Sequence, residues 1–449
     1  MSRLITWLGD DFTGSAAVLE VLSFAGIDAV LFSGVPSEAM RNRFSNAQAI
    51  GIATTARAQT PEWMRGHLPA LVQFLDQLKA PILHYKICST FDSAPHVGNM
   101  GLAIETVLSV RASDAVPIVT AAPQMRRYQV FGNLFAGTLD GTYRLDRHPI
   151  MSRHPVTPMT EADLMAHLAL QTKLQTDLID LEDLKSDPNK KISKLIMSGK
   201  KLISIDSFDE LSEKKAGQLI WEHRNRLRVV AGSQGIEYAL VRHWMDIGII
   251  APAPRPMSAE PVSQIAAVSG SVSEITAEQI QWSGQNGFAL IPFDAASAIA
   301  SPEACERAIH SATEAALLAA QTGASPLVFS ACGPDDPAVT KLRQKVSQTG
   351  LTLETVNHQI GLALGQILDR VLTKTGLRRA VISGGDTSGH GMTVLGLEAL
   401  RALAPTIPGA ALCTAYGDSP HDGLQIALKG GQMGSRDFFD WIRAGGGPR

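Results

Sequence analysis

Short apolar runs recur along the first half of the chain, each closed by a polar or glycine-bearing turn and followed by an amphipathic stretch. Leu4 to Leu8 reads as a buried strand, Asp10 to Gly14 as the turn that ends it, and Ser15 to Ala25 as a helix stopped at Gly26. Ala29 to Phe32 completes a strand–helix–strand unit, which points to a parallel sheet. The rhythm continues with strands predicted at Ala49 to Ala53, Ile82 to Lys86 and Ile118 to Ala121, and a helix from about Pro61 to Leu78. It resumes after Glu161, with strands at Thr176 to Ile179, Leu202 to Asp206 and Val229 to Ala231, and a helix from Gly235.

Two stretches interrupt this pattern. From Gln124 to Pro158 the chain is long, aromatic and basic, carrying Arg126, Arg127, Arg144, Arg147, His148, Arg153 and His154, and is expected to be a loop or excursion. Its cations have two readings: they bind an anionic ligand, or they hold loops and subunits together. His148 and His154, six apart and beside prolines, do not have the spacing of a zinc site. The second interruption, residues 251–263, is proline-rich and reads as a linker. Beyond it a second alternation begins, with strands at Ile265 to Val268, Ala289 to Ile291, Leu327 to Ser330, Ala380 to Ser383 and Ala410 to Thr414, and a helix spanning Thr276 to Trp282. The expected architecture is α/β, with two domains, 1–250 and 264–449, each a mainly parallel sheet flanked by helices.

A length of 449 residues fits two cores better than one. The formal charge of −3 supplies no global attraction to nucleic acid or to an anionic membrane. No window has the roughly 18 apolar residues of a membrane-spanning helix. The four cysteines are scattered, without a CxxC pair, as expected of reduced thiols in a cytoplasmic protein.

Candidate chemistry gathers where strands end, the place where open α/β sheets bind ligands. Asp10 and Asp11 follow the first strand; one can cap the next helix while the other holds a metal, orients a hydroxyl or acts as a base. Lys86 to Ser93 follows another strand and offers a cation, the hydroxyls of Ser89, Thr90 and Ser93, and the Asp92 carboxylate, a mixture suited to an acidic sugar. Asn99 adds an amide and Arg57 a second cation, while the plainer reading of the segment is a polar turn with capping serines. In the second half, Ser269 to Ser273, Ser383 to Gly389 and Lys429 to Gly434 are glycine- and hydroxyl-rich turns, two of them at predicted strand ends. Small residues there let backbone N–H groups approach a phosphate, helped by the helix N-terminus. GxxxxGK[ST], GxGxxG and GxSxG are all missing, which excludes a P-loop enzyme and weakens dinucleotide-binding and serine-hydrolase readings.

Taken in order, Gly9 to Gly14, Lys86 to Ser93, Ser269 to Ser273 with Thr276 to Gln279, Ser383 to Ser388 and Lys429 to Gly434 resemble the motifs of the four-carbon acid sugar kinases, among them D-threonate, D-erythronate and 3-oxo-tetronate kinases. The resemblance implies an N-terminal domain for the acid sugar and a C-terminal domain for ATP. It places Asp10, Asp11, Arg57, Lys86, Ser89, Thr90 and Asp92 around the sugar, and Ser271, Gly384, Gly385, Asp386, Thr387, Gly430 and Gly431 around ATP. Many members read Lys-x-Asp-Ser-Thr-Leu-Arg-Gly at the second motif. This chain has Cys88 and Asp92 there, and Asp386 where a glutamate is common.

The mechanism so implied is in-line transfer of the γ-phosphoryl group. Asp11 or Asp10 takes the proton of the attacking hydroxyl, Lys86 and Arg57 neutralise the sugar carboxylate, and Asp386 helps hold Mg2+ through water. The two domains are expected to close across the linker. A homodimer is expected, with no nucleic-acid or membrane partner. The acceptor is left open among threonate, erythronate, 3-oxo-tetronates and branched relatives such as 3-oxo-isoapionate. The competing readings are a sugar-acid oxidoreductase or aldolase and a non-catalytic sugar-acid sensor.

Overall fold

The computed structural model of the protein describes residues 3–138, 140–154 and 156–449. The chain forms two compact units, Met1–Val35 with Phe44–Pro254, and Pro36–Arg43 with Arg255–Arg449.

The strands of the first unit are β1 (Ile5–Gly9), β2 (Ala29–Phe32), β3 (Ala49–Ala53), β4 (Ile82–Lys86), β5 (Val116–Val119), β6 (Arg127–Val130), β7 (Asn133–Gly137), β8 (Thr142–Arg144), β9 (Thr176–Ile179), β10 (Leu202–Ile205) and β11 (Val229–Gly232). Eight of them lie in the order β2-β3-β1-β4-β11-β5-β10-β9, parallel throughout. Every residue of β1, β3 and β4 is buried, as helices on both faces require, and this explains why these segments read as unbroken apolar runs rather than alternating ones.

The second unit carries β12 (Ala266–Ser269), β13 (Phe288–Pro292), β14 (Ser325–Phe329), β15 (Arg379–Ser383), β16 (Ala399–Ala404), β17 (Leu412–Tyr416) and β18 (Leu424–Lys429). Their order is β13-β14-β12-β15-β18-β17-β16. The first five are parallel, and β17 runs antiparallel to both of its neighbours. Ile265, Ile280, Leu327, Val381, Leu412, Phe438 and Ile442 belong to the core beneath this sheet. Both units are thus mainly parallel α/β layers, as the chain's periodicity implied.

Three expectations need correction. The basic stretch after Gln124 is not simply a loop: β6, β7 and β8 form a separate antiparallel sheet. Its first hairpin turns on Phe131 and Gly132, both with positive φ (48° and 74°), the geometry that matches strand twist in a two-residue connection. The Asp206 carboxylate accepts both of their N–H groups, at 2.5 and 3.0 Å, and holds the phenylalanine in a region that disfavours it. Strands β16 and β18 were not foreseen; the Ala-Leu-Arg-Ala-Leu-Ala sequence of β16 is made of strong helix formers, and sheet pairing overrides that propensity. Strands β5, β14 and β17 are each displaced by two residues from their expected starts. Among the described residues, no helix is long and apolar enough to cross a membrane.

Candidate functional site

In the first unit, sheet register brings the candidate residues together. Gly9 stands level with Ala53 of β3 and with Lys86 of β4, and Lys86 is level with Gly232 of β11, so neighbouring loops leave the sheet at one height. Asp10 follows Gly9, and its backbone N–H donates to the Lys86 carbonyl at 2.9 Å. Arg57 arrives from a short turn after β3, with its own N–H donating to the Asp10 carbonyl at 2.9 Å.

These backbone ties set up a compact charge cluster. The Arg57 guanidinium donates to both Asp10 oxygens and, at 2.9 Å, to Asp11 Oδ2. Asp11 Oδ1 meanwhile accepts the Gly14 N–H at 2.8 Å and caps the helix Phe12–Phe24. Burial lifts the Asp10 carboxyl above its ordinary value against the opposing pull of Arg57. Burial pulls the Arg57 guanidinium down, but the two carboxylates outweigh it and hold it well above its usual range. Lys86 is buried beside the cluster and donates to the Ile87 carbonyl at 2.6 Å.

The rest of the second motif forms a neighbouring turn. Thr90 Oγ1 donates to Asp92 Oδ1 at 2.8 Å and lies 2.9 Å from Cys88 Sγ, while Phe91 sits fully buried at φ 59°. Burial pushes the Cys88 thiol up, which keeps it protonated and unreactive. Ser89 is half-buried on the same turn. Burial lowers the Arg127 guanidinium of β6, and the Asp92 carboxylate offsets part of that fall. Its Nη1 donates to the carbonyls of Met125, Arg126 and Gly137, and its buried Nε has no hydrogen-bond partner among the described residues. Its link to Asp92 is invisible in a linear reading because β6 was not foreseen. Asn99, by contrast, is occupied as a helix cap, accepting the Leu102 N–H at 2.8 Å.

The second unit repeats the device. Ser269, Ser383 and Lys429 are level across β12, β15 and β18, so all three glycine-rich turns, not two, leave adjacent strand ends. Ser273 caps the helix Glu274–Gly284, and its hydroxyl donates to the Gly431 carbonyl at 2.5 Å; Thr276 Oγ1 donates to the same carbonyl at 2.9 Å. A Cβ at Gly431 would overlap the Ser271 hydroxyl, so glycine is what lets the first and third turns touch. Gly384, at φ 125°, turns the chain from β15 into the helix Gly385–Val394, where Thr387 is buried while Gly385 and Asp386 are exposed. Ser271, Val272, Ser273, Glu274, Pro334, Gly431 and Gln432 line a concavity of about 550 Å3. Small residues, free backbone and two helix N-termini suit this surface to phosphates. Thr276, Ser273 and Lys429 complete it; the last was visible in the sequence as the residue before a glycine turn.

Among the described residues, no three His, Cys, Asp or Glu side chains converge in a metal-holding group. Asp386 is an exposed carboxylate in the first turn of the helix after the second glycine-rich turn, and the exposed Glu274 lines the concavity itself; such a set fits Mg2+, which keeps several waters and is usually bound by one or two carboxylates together with substrate phosphates.

Two family models match in tandem: a sugar-binding N-terminal domain over residues 5–240 and a nucleotide-binding C-terminal domain over residues 266–439. The chain is 42% identical to the 3-oxo-isoapionate kinase of Paraburkholderia graminis over 98% of this chain and 94% of the relative. It is 27% identical to the 3-oxo-tetronate kinase of Pseudomonas savastanoi pv. phaseolicola, over 97% and 96%. A crystal structure of a Salmonella typhimurium LT2 protein shares the fold with a TM-score of 0.78 at 23% identity, covering 98% of each chain. These matches set aside the oxidoreductase, aldolase and sensor readings, and with both domain models satisfied in order, the chain belongs to the four-carbon acid sugar kinase family.

Proposed function

We propose that this kinase transfers the γ-phosphoryl group of ATP to a hydroxyl of a branched 3-oxo acid sugar of the 3-oxo-isoapionate kind. The observation that carries the choice of substrate is the identity of 42% to a 3-oxo-isoapionate kinase along nearly the whole chain, against 27% to a 3-oxo-tetronate kinase of similar coverage.

The acid sugar binds at the first unit. Asp10 is the structural member of the acidic pair, with a side chain only 3% exposed and gripped at both oxygens; Asp11, at 25%, is the one that reaches a ligand. Asp11 accepts the hydroxyl proton while the sugar oxygen bonds to the γ-phosphorus and the bond from that phosphorus to the bridging oxygen breaks, the electron pair leaving with ADP. Lys86 and the guanidinium hydrogens that Arg57 does not spend on Asp10 and Asp11 receive the sugar carboxylate. Ser89, Thr90 and Asp92 hydrogen-bond its remaining oxygens.

The phosphates of ATP lie against Ser271, Gly384, Gly385, Thr387, Gly430 and Gly431 of the second unit. Asp386 would hold Mg2+, and the ion would supply neutralisation of the phosphate charge. A spectrophotometric ADP-release assay with MgATP and a panel of 3-oxo-isoapionate, 3-oxo-tetronates, threonate and erythronate tests the reading. The expected outcome is the highest kcat/KM on 3-oxo-isoapionate. Equal or better turnover of a linear 3-oxo-tetronate sinks the branched-substrate reading, and silence on every acid sugar sinks the acceptor class.

A further inference from the structure

Lys429 ends β18 and has no exposure to solvent. Its ammonium donates to Thr276 Oγ1 at 3.2 Å and to the Gly430 carbonyl at 3.1 Å, and lies 5.9 Å from the centre of the Phe438 ring. The ionisable groups on the elements around it are Glu274 and Glu278 on the helix Glu274–Gly284, Arg379 on β15, Asp386 and His390 on the helix Gly385–Val394, Cys413 and Tyr416 on β17, and Asp440 and Arg443 on the helix Phe438–Arg443. Asp440 is spent on Arg443, and among the described residues none of these groups forms an ion pair with Lys429. A buried ammonium without a counter-ion is costly, so its presence points to a charge that arrives with a ligand.

The turn above it is oriented to receive one. The Gly430 carbonyl faces inward onto Lys429, and the Gly431 carbonyl faces inward onto Ser273 and Thr276. In a trans peptide the N–H points opposite to the C=O, so the N–H groups of Gly431 and Gln432 point the other way. Neither has a hydrogen-bond partner among the described residues, and both residues line the 550 Å3 concavity.

We propose that Lys429 is a buried positioning residue of the nucleotide site, turning the Gly431 backbone donor outward through its hold on the Gly430 carbonyl and supplying from behind the turn the positive charge that the polyphosphate requires. The inference rests on reading the second unit as the nucleotide site. Burial lowers the Lys429 ammonium to about 8. Above that pH the free protein has largely lost this proton, and a polyanion bound against the turn draws it back. Nucleotide affinity therefore falls as pH rises beyond about 8, and binding in that range takes up a proton.

Isothermal titration of MgADP into the full chain at pH 8.5, in two buffers of different ionisation enthalpy, counts that proton. The expected uptake is roughly 0.7 proton per nucleotide, shrinking to about 0.1 at pH 7. Lys429→Met abolishes the uptake and weakens binding at pH 7 by roughly ten- to a hundredfold, raising KM for ATP more than it lowers kcat. Lys429→Arg keeps a cation at every pH and flattens the pH dependence of affinity. A wild-type protein that binds MgADP at pH 8.5 without taking up a proton overturns the proposal, and that measurement needs no variant. So does a Lys429→Met protein with unchanged affinity and uptake. A wild-type protein that binds no MgADP at any pH overturns the nucleotide reading itself, and this inference with it.

Discussion

The Arg57 guanidinium takes both oxygens of Asp10, with Nη2 2.8 Å from Oδ1 and Nε 3.1 Å from Oδ2, and its third contact reaches Asp11 at 2.9 Å. One arginine thereby splits two adjacent carboxylates into different roles. Asp10 is locked by a planar fork that a lysine could not reproduce, while Asp11 is shared between the fork and a helix N-terminus. It also changes what Arg57 can offer a substrate: three of its five N–H groups are already engaged within the protein.

Breaking the fork is predicted to cost more than its formation contributes. Arg57→Met leaves the Asp10 carboxylate buried and unpaired, a situation that destabilises by about 3–5 kcal/mol. Because burial already raises the Asp10 carboxyl, loss of Arg57 raises it further, and the destabilisation grows as pH rises and the carboxylate is forced to ionise. Adding Asp10→Asn removes the orphaned charge and returns most of the loss. Urea unfolding of the two single variants and the double variant, at two pH values, measures the coupling; additive losses would show that the pair is not a unit.

Asp11→Asn separates chemistry from architecture. Asparagine is as good a helix cap as aspartate, so the contact to the Gly14 N–H survives. It cannot accept a proton, and kcat is predicted to fall roughly a hundred- to ten-thousandfold. MgADP affinity, read by titration calorimetry, stays at the wild-type value. A kcat within twofold of wild type would remove Asp11 from the role of base.

Much of this arrangement is legible along the chain, because a parallel sheet ties function to local pattern. Each apolar run buried on both faces marks a strand, and the polar residues just after it stand at the sheet's carboxyl edge. Asp10, Lys86, Ser271 and Gly384 are found this way without any knowledge of strand order. Register is what the chain does not display: that Ser269, Ser383 and Lys429 are level depends on the pairing of β12, β15 and β18, strands separated by long connections. The grip of Arg57 on Asp10 likewise depends on β1 lying beside β3. Strand β16 was hidden by its helix-forming composition. The β6–β7 hairpin was hidden because a Phe-Gly turn lacks the usual Asn-Gly signal and depends on a distant carboxylate, Asp206.

The contact between two glycine-rich turns makes a steric prediction. Gly431→Ala drives a methyl group into the Ser271 hydroxyl and is expected to lower both thermal stability and MgADP affinity, the latter by about 1–3 kcal/mol. Ser271→Ala in the same chain removes the overlapping oxygen and leaves the Ser271 Cβ position 3.2 Å away and Ser273 Oγ at 3.5 Å. The double variant should therefore regain stability, measured by calorimetry without nucleotide, even though one hydroxyl of the site is gone. If Gly431→Ala alone melts at the wild-type temperature, the two turns are not packed as described.

Asp206 predicts a pH dependence of folding in the first unit. Its carboxyl is raised from an ordinary 3.8 to about 6, chiefly by burial, with the Phe131 and Gly132 N–H groups opposing the rise. The folded chain therefore holds, between about pH 4 and pH 6, a proton that the unfolded chain has released. Stability contributed by this group is greatest at the acid end of that window and falls by up to about 3 kcal/mol as pH rises through it, becoming constant above. The sign is opposite to that of an ion-paired carboxylate, whose contribution grows with pH. Asp206→Asn cannot titrate, so the difference between wild-type and variant unfolding free energies, followed by urea denaturation from pH 4 to 8, isolates the contribution. A difference that does not change with pH would mean that Asp206 titrates alike in the folded and unfolded chain, and that the turn carrying Phe131 is held without a perturbed carboxyl.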